Sequence, residues 1–396
     1  MLNNRQLFLQ HNAQTTFFPL LLEMERAEGV YMWDVNGKRY LDLISGIAVS
    51  NVGHGNKKVI EAITNQAQHY MHLMVYGEFV QGPQVLFAQK LCSLLPQNLQ
   101  NVYFVNSGAE AIDGALKLAK RYTGRYKTIS CKNAYHGSSQ GVLSIMGSET
   151  YKQAYRPLIP GNALIEFGNF DDLNLIDDSI ACVVMETVQG ESGVRTASAE
   201  YFFALKSKCE KNGVLLILDE IQCGMGRTGK MFAFEHYGFV PDILCLSKSL
   251  GGGMPLGAFI SSTQMMHSLA AEPMLGHITT FGGHPVCCAA GLAALGFLME
   301  EKLIEEVKEK EKLFRSKLIH PKIKEIRGIG LLLSLQFDSF ENNKQIIDCC
   351  IKNGVISDWF LFCDNAMRLA PPLIIKDDEI DEACAIILKS IDEVIS

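Results

Sequence analysis

The sequence predicts an α/β protein with two parts. A large domain over residues 60–285 is built on a mostly parallel central sheet, and a smaller α+β domain is assembled from both chain ends, segment 1–59 and residues 286–396. Three observations predict this. The length of 396 residues fits two or three domains at ~100–200 residues each. From about residue 101, short continuous apolar runs alternate with helical stretches, the pattern of strands buried on both faces of a parallel sheet. After Pro285 the texture turns helical, and one further strand and a last helix follow.

Taken in order, VYMWDVNGKRYLD at 30–42 alternates around Asn36-Gly37, a type I′ hairpin signal. Helical periodicity follows at 57–70 and at 83–95, where Pro96 stops it. Strands are expected at 102–105, 180–185, 214–218, 243–246 and 257–260, with helices at 109–121 and 200–212. The helical stretch 286–317, a strand at 330–337 and an amphipathic helix at 377–395 complete the chain.

Composition excludes several classes. With 48% hydrophobic and 20% charged residues the chain is globular rather than disordered. The balance of 36 basic against 43 acidic residues, net −7, and the absence of a basic block argue against nucleic acid and anionic membrane as partners. No run reaches the ~18 apolar residues of a membrane span, and the opening MLNNRQLFLQHNAQTT has no apolar secretion signal. Twelve cysteines sit in apolar runs with no CxxC pair, so buried free thiols in a cytoplasmic protein are expected, and no metal site.

Three segments carry chemistry. In NSGAEAIDGALKLAKRYTGR at 106–125, a strand leads through Ser107-Gly108 into a helix. The first N–H groups of that helix form an anion cradle, or Ser107 is simply an N-cap. In VLLILDEIQCGMGRTG at 214–229, a strand ends on Asp219. A carboxylate there faces the ligand crevice of a parallel sheet, unless it only caps a turn. In PDILCLSKSLGGGMPLGAFIS at 241–261, Lys248 leaves a strand into Gly251-Gly252-Gly253. A desolvated lysine at such a place is an amine nucleophile, although most lysines are solvated surface residues. The glycine run lacks the spacing of a dinucleotide fingerprint. Taken together, a phosphate cradle, a strand-end aspartate and a strand-end lysine are what pyridoxal 5′-phosphate requires.

At this point the chain resembles the class III (ω-amino-acid) aminotransferases of pyridoxal-phosphate fold type I, and within them the acetylornithine and ornithine aminotransferases. The likeness runs from GVYMWDVNGKRYLDLISGIAVSNVGHG at 29–55 through LDEIQCGMGRTGKMFAFEHYGFVPDILCLSKSLGGGMPLGA to MRLAPPLII at 367–375. The resemblance implies an enzyme of amino-acid metabolism, as in arginine biosynthesis, moving an amino group from an ω-amine to 2-oxoglutarate. A mutase, racemase or decarboxylase of the same fold is the alternative. Residue by residue, the resemblance implies that Lys248 binds the cofactor covalently and shuttles a proton, and that Asp219 pairs with the pyridinium nitrogen. It places Ile221 on one ring face, Tyr135 on the other with His136 beside it, and Gln222 at the 3′-oxygen. Ser107, Gly108 and Ala109 form the phosphate cup, and Thr280 reaches the phosphate of the neighbouring subunit, which implies a homodimer with shared active sites. Arg368 holds the carboxylate of glutamate and 2-oxoglutarate, Glu191 neutralises Arg368 when an ω-amine is bound, and Glu186 is a further acidic substrate residue. Two positions depart from the pattern: Ser138, where an arginine usually clamps the donor's far carboxylate, and Thr187, where proline is usual. The first opens the identity of the donor, with Lys132 as a candidate replacement clamp. The second is expected to be a backbone detail.

Overall fold

The computed structural model describes residues 2–394. The central sheet has seven strands in the order β4-β10-β9-β8-β7-β5-β6. They are β4 (Asn101–Val105), β5 (Lys127–Cys131), β6 (Asn162–Ile165), β7 (Ile180–Glu186), β8 (Leu215–Asp219), β9 (Ile243–Leu246) and β10 (Gly257–Ser261). Every residue of β7, β9 and β10 is buried, as the continuous apolar runs require for a sheet covered on both faces. The pairings β9-β8-β7-β5-β6 are parallel. The exception is β10, antiparallel to both β9 and β4. Only residues 247–256 separate it from β9, too few for the crossover that a parallel neighbour needs.

A second sheet has the order β1-β2-β3-β13, from β1 (Met24–Glu28), β2 (Tyr31–Asp34), β3 (Arg39–Asp42) and β13 (Val355–Ile356). The parallel pairing of β3 with β13 joins the N-terminal segment to the C-terminal part of the chain. The third sheet, β11 (Glu325–Ile329), β12 (Leu332–Gln336), β15 (Cys363–Leu369) and β14 (Trp359–Phe360), is antiparallel throughout.

Two expectations change. The β2–β3 hairpin forms, but of its central residues only Gly37 has a positive φ, of 79°, so the turn is not type I′, which needs two. It is a longer loop closed by Asp34 Oδ1, which accepts from the amides of Asn36 and Lys38 at 2.9 and 3.0 Å. The helical stretch 286–317 is two helices, Pro285–Glu300 and Leu303–Lys317, broken where Lys302 turns left-handed at φ 54°. The last helix spans Asp377–Val394, and residue 395 of its expected range lies outside the described residues.

All twelve cysteines are free, and only Cys92, Cys349 and Cys363 are partly exposed. Among the described residues no helix is long and apolar enough to cross a membrane.

Candidate active site

The carboxyl ends of β7, β8 and β9 come together over one crevice, the place where open α/β sheets bind ligands. Register puts Glu186 at the end of β7 directly beside Asp219 at the end of β8, and Asp219 beside Cys245 of β9. Two residues beyond β9 the chain turns at Lys248, whose φ of 51° is left-handed. The Ser247 hydroxyl holds this turn by donating to the Leu256 carbonyl at 2.7 Å. The Ser45–Ala48 turn, also left-handed (φ 49–66°), packs against it. The result is a cavity of about 240 Å³, whose walls include Gly108, Ala109, Tyr135, His136, Ser138, Glu186, Glu191, Asp219, Ile221, Gln222 and Lys248.

The helix Gly108–Thr123 opens onto this cavity. Ser107 caps it, its hydroxyl oxygen accepting from the Glu110 amide at 3.2 Å, so Ser107 acts as the N-cap and Gly108 and Ala109 line the wall. The first turn of a helix has N–H groups with no intrahelical acceptor, which makes this end a seat for an anion. Gly108 packs closely on Ile221: a Cβ there would stand 2.8 Å from Ile221 Cδ1, so a larger residue would have to displace that side chain.

At the floor, His136 Nδ1 lies 2.7 Å from Asp219 Oδ2, and Asp219 Oδ1 accepts from the Ile221 amide at 3.0 Å. Burial disfavours the imidazolium, but the hydrogen bond and charge of Asp219, with Glu186 behind it, outweigh that and leave the His136 pKa raised. Glu186 has no cationic side chain bonded to it. Its two oxygens accept from the amides of Tyr135 and Gly190 at 3.0 and 2.8 Å, and burial raises its pKa to about 7. Burial likewise lowers the Lys248 ammonium from its ordinary value, with Glu191 opposing and Arg368 assisting.

Arg368 on β15 forks onto Glu191, Nη1 to Oε1 at 2.8 Å and Nη2 to Oε2 at 3.0 Å, both residues buried. This is the bidentate geometry that makes arginine the natural carboxylate receptor. Its Nε donates to Asp358 Oδ1 at 2.9 Å, and its guanidinium lies 4.5 Å over the Phe360 ring. Sequence reasoning missed Asp358 and Phe360, because nothing in the spacing of SDWF marks a partner ten residues before Arg368.

Not every expected residue gathers here. Thr280 is exposed and lies outside the cavity wall of its own chain. Lys132 is half exposed and pairs with Glu166 at 2.6 Å, away from the cavity wall, so it does not clamp a ligand there. Ser138 does line the cavity, its hydroxyl 3.1 Å from that of Tyr135. Thr187 is more than a backbone detail. Fully buried, it donates to Glu220 Oε1 at 2.8 Å, while Glu220 also accepts from the amides of Ala233 and Phe234 at 2.6 Å each. Glu220, also missed, is a buried carboxylate whose pKa burial raises to about 7.

The residues present fit pyridoxal phosphate. An anion seat, a strand-end carboxylate and a partly buried lysine with a depressed pKa share one cavity. In addition, Gln222 Nε2 is buried with no partner among the described residues, a donor suited to a ring oxygen.

Known proteins agree. The family described as Aminotransferase class-III matches residues 12–391. An acetylornithine aminotransferase from Caldanaerobacter subterraneus subsp. tengcongensis is 37% identical over 393 residues, 96% of this chain and 95% of that one. An ornithine aminotransferase from Toxoplasma gondii, with partial occupancy of pyridoxal phosphate at its active site, superposes with TM-score 0.89 at 31% identity, covering 97% of this chain and 92% of that one. An ω-transaminase from Pseudomonas jessenii in complex with PMP superposes with TM-score 0.92 at 25% identity, covering 99% and 98%. The mutase, racemase and decarboxylase alternatives are not favoured by these comparisons. The chain belongs to the class III aminotransferases and is a pyridoxal-phosphate-dependent transaminase of fold type I.

Proposed function

We propose that the enzyme moves an amino group from an ω-amine donor, with an acylated ornithine as the first candidate, to 2-oxoglutarate. The observation that carries this is the buried Arg368–Glu191 fork, in which Glu191 lines the cavity and Arg368 stands behind it. A site serving two substrates in turn needs a receptor for a carboxylate in one half-reaction and none in the other. Arg368 supplies the receptor, and Glu191 covers it when the amine is bound. The cofactor's ring, once bound, stabilises negative charge on the carbon that bears the amino group.

The chain's own residues do the rest. The amides of Gly108 and Ala109 bind the phosphate, Asp219 holds a proton on the ring nitrogen, and His136 orients Asp219. Ile221 and Tyr135 would flank the ring, and Gln222 would donate to its 3′-oxygen. The Lys248 amine holds the cofactor and moves the proton. Its lowered pKa favours the neutral amine which that work needs.

The enzyme works as a homodimer in the cytoplasm, with Thr280 serving the partner's site. In support, Thr280 stands on an exposed strip with Met274, Ile278 and Phe281, the first of them 79% exposed, and such apolar exposure marks contact surfaces. At the other end of the cavity Ser138 leaves no cation for a donor's far carboxylate, and Lys132 is already engaged by Glu166.

The test is a donor screen. Acetylornithine, ornithine, 4-aminobutyrate and amines without a second carboxylate are each mixed with the yellow holoenzyme, bleaching is recorded, and 2-oxoglutarate is added to restore the colour. Recovery with 2-oxoglutarate after bleaching by an ω-amine is the expected result. Failure of every ω-amine to bleach the enzyme overturns the reading. In the same screen Ser138→Arg should improve turnover of donors with a far carboxylate.

A further inference from the structure

We propose that Glu186 is a positioning residue rather than a substrate ligand, tying the Tyr135 wall of the cavity to the turn that carries Glu191. Glu186 is 6% exposed at the end of β7. Both of its oxygens accept main-chain hydrogens, Oε1 from Tyr135 at 3.0 Å and Oε2 from Gly190 at 2.8 Å. A buried carboxylate without a bonded cation persists only where such donors satisfy it.

The two ends of this bridge lead to opposite sides of the site. On one side Tyr135 reaches Ser138 through its hydroxyl. On the other, Gly190 accepts from the amides of Gly193 and Val194 at 3.2 and 3.1 Å, closing the turn that contains Glu191 and hence the fork to Arg368. Gly190 packs closely on Gln222, whose side chain occupies the place where a Cβ at 190 would stand. One carboxylate thus links, through hydrogen bonds, the Ser138–Tyr135 side of the site to the turn that carries Glu191 and its fork to Arg368.

The tie is also sensitive to protonation. The charged and titratable groups facing Glu186 are His136 beside Tyr135, Asp219 on β8, Lys248 after β9, Cys131 on β5 and Cys223 beyond β8. Burial dominates over all of them and raises the Glu186 pKa to about 7. The closed site binds this proton more tightly than an opened, solvated one would, so the segments tied by Glu186 open more readily as pH rises through neutrality.

The bridge itself does not depend on the proposed substrates. Only its kinetic consequence rests on that reading. The experiment is hydrogen exchange by mass spectrometry on the holoenzyme, wild type against Glu186→Gln, following peptides over 131–138 and 187–194. Glutamine has a single acceptor oxygen, so one amide, at Tyr135 or Gly190, should exchange about tenfold faster, the worth of one lost hydrogen bond, with the rest of the chain unchanged. The KM values for both substrates should rise together while kcat changes less. Unchanged exchange in both peptides, or a KM increase confined to one substrate, overturns the proposal. If the glutamine variant does not fold, the wild type decides. Exchange in these two peptides, corrected for its intrinsic pH dependence, should be slower at pH 6 than at pH 8, and a flat profile refutes the tie.

Discussion

The imidazole Nδ1 of His136 sits 2.7 Å from Oδ2 of Asp219, both side chains buried at the end of β8. The pair aims the second carboxylate oxygen toward the Ile221 amide and fixes the carboxylate in one orientation. Asp219 favours the charged form of His136 and outweighs the burial that alone would neutralise the imidazolium.

Asp219→Asn is expected to keep the cofactor bound and to slow turnover by more than ~tenfold, since one pKa unit at the ring nitrogen is worth ~1.4 kcal/mol and loss of a close charge shifts several. Cofactor absorbance and kcat measured on the same preparation check this. A smaller loss contradicts the proton-holding role.

Lys248 is expected to carry the cofactor. Borohydride reduction of the holoenzyme followed by peptide mass mapping should place the adduct there, and an adduct on any other lysine refutes the assignment.

Arg368→Ala should raise KM for 2-oxoglutarate ~30-fold or more, with a much smaller rise for the amine, because a bidentate charged contact is worth on the order of 2–5 kcal/mol. It also leaves buried Glu191 and partly buried Asp358 without their shared cation, so part of the effect is a loss of stability. Arg368→Lys separates the two by keeping the charge without the fork. Equal increases in both KM values would count against the proposed receptor.

A mixture of Lys248→Ala and Thr280→Ala protomers should regain activity, since a heterodimer then holds one site with both residues intact. Heterodimers shown to form but inactive would place Thr280 in its own subunit's service.

Stability should fall as pH rises from about 5 to 7.5. Glu186 and Glu220 have folded-state values raised to about 7 from an ordinary 4.5. The folded state therefore binds protons that the unfolded state has released, and that contribution is lost as pH climbs through 7. His136, raised as well, acts with the same sign. Thermal unfolding of the apoenzyme across this range, with Glu220→Gln flattening part of the slope, checks it.

What was legible in the sequence were the residues whose position follows from a strand end. Asp219 and Lys248 each close an apolar run, and the runs at 214–218 and 243–246 became β8 and β9 almost residue for residue. Strands β5 and β6 gave no such signal because KTISC and NALI are short and carry polar residues, and β15 hides behind Asp364 and Asn365. Pairings made across the fold were illegible for a different reason. Asp358 with Arg368 and Thr187 with Glu220 depend on which strand lies beside which, and no local pattern encodes that. Lys132 shows the converse: a plausible cation by sequence number, it is taken up by Glu166, a neighbour created only by the pairing of β5 with β6.

The reversed strand β10 also governs the order in which the molecule can be completed. Among the described residues the sole sheet neighbour of β4 is β10, and roughly 150 residues separate the two along the chain. As the protein emerges from the ribosome, β4 and the anion-binding helix behind it must wait, edge exposed, until the lysine turn and β10 have been made. Long-range pairings of this kind slow folding and leave a strand open to false partners in the interval. The proposed phosphate seat and the proposed cofactor lysine therefore become native in the same late event.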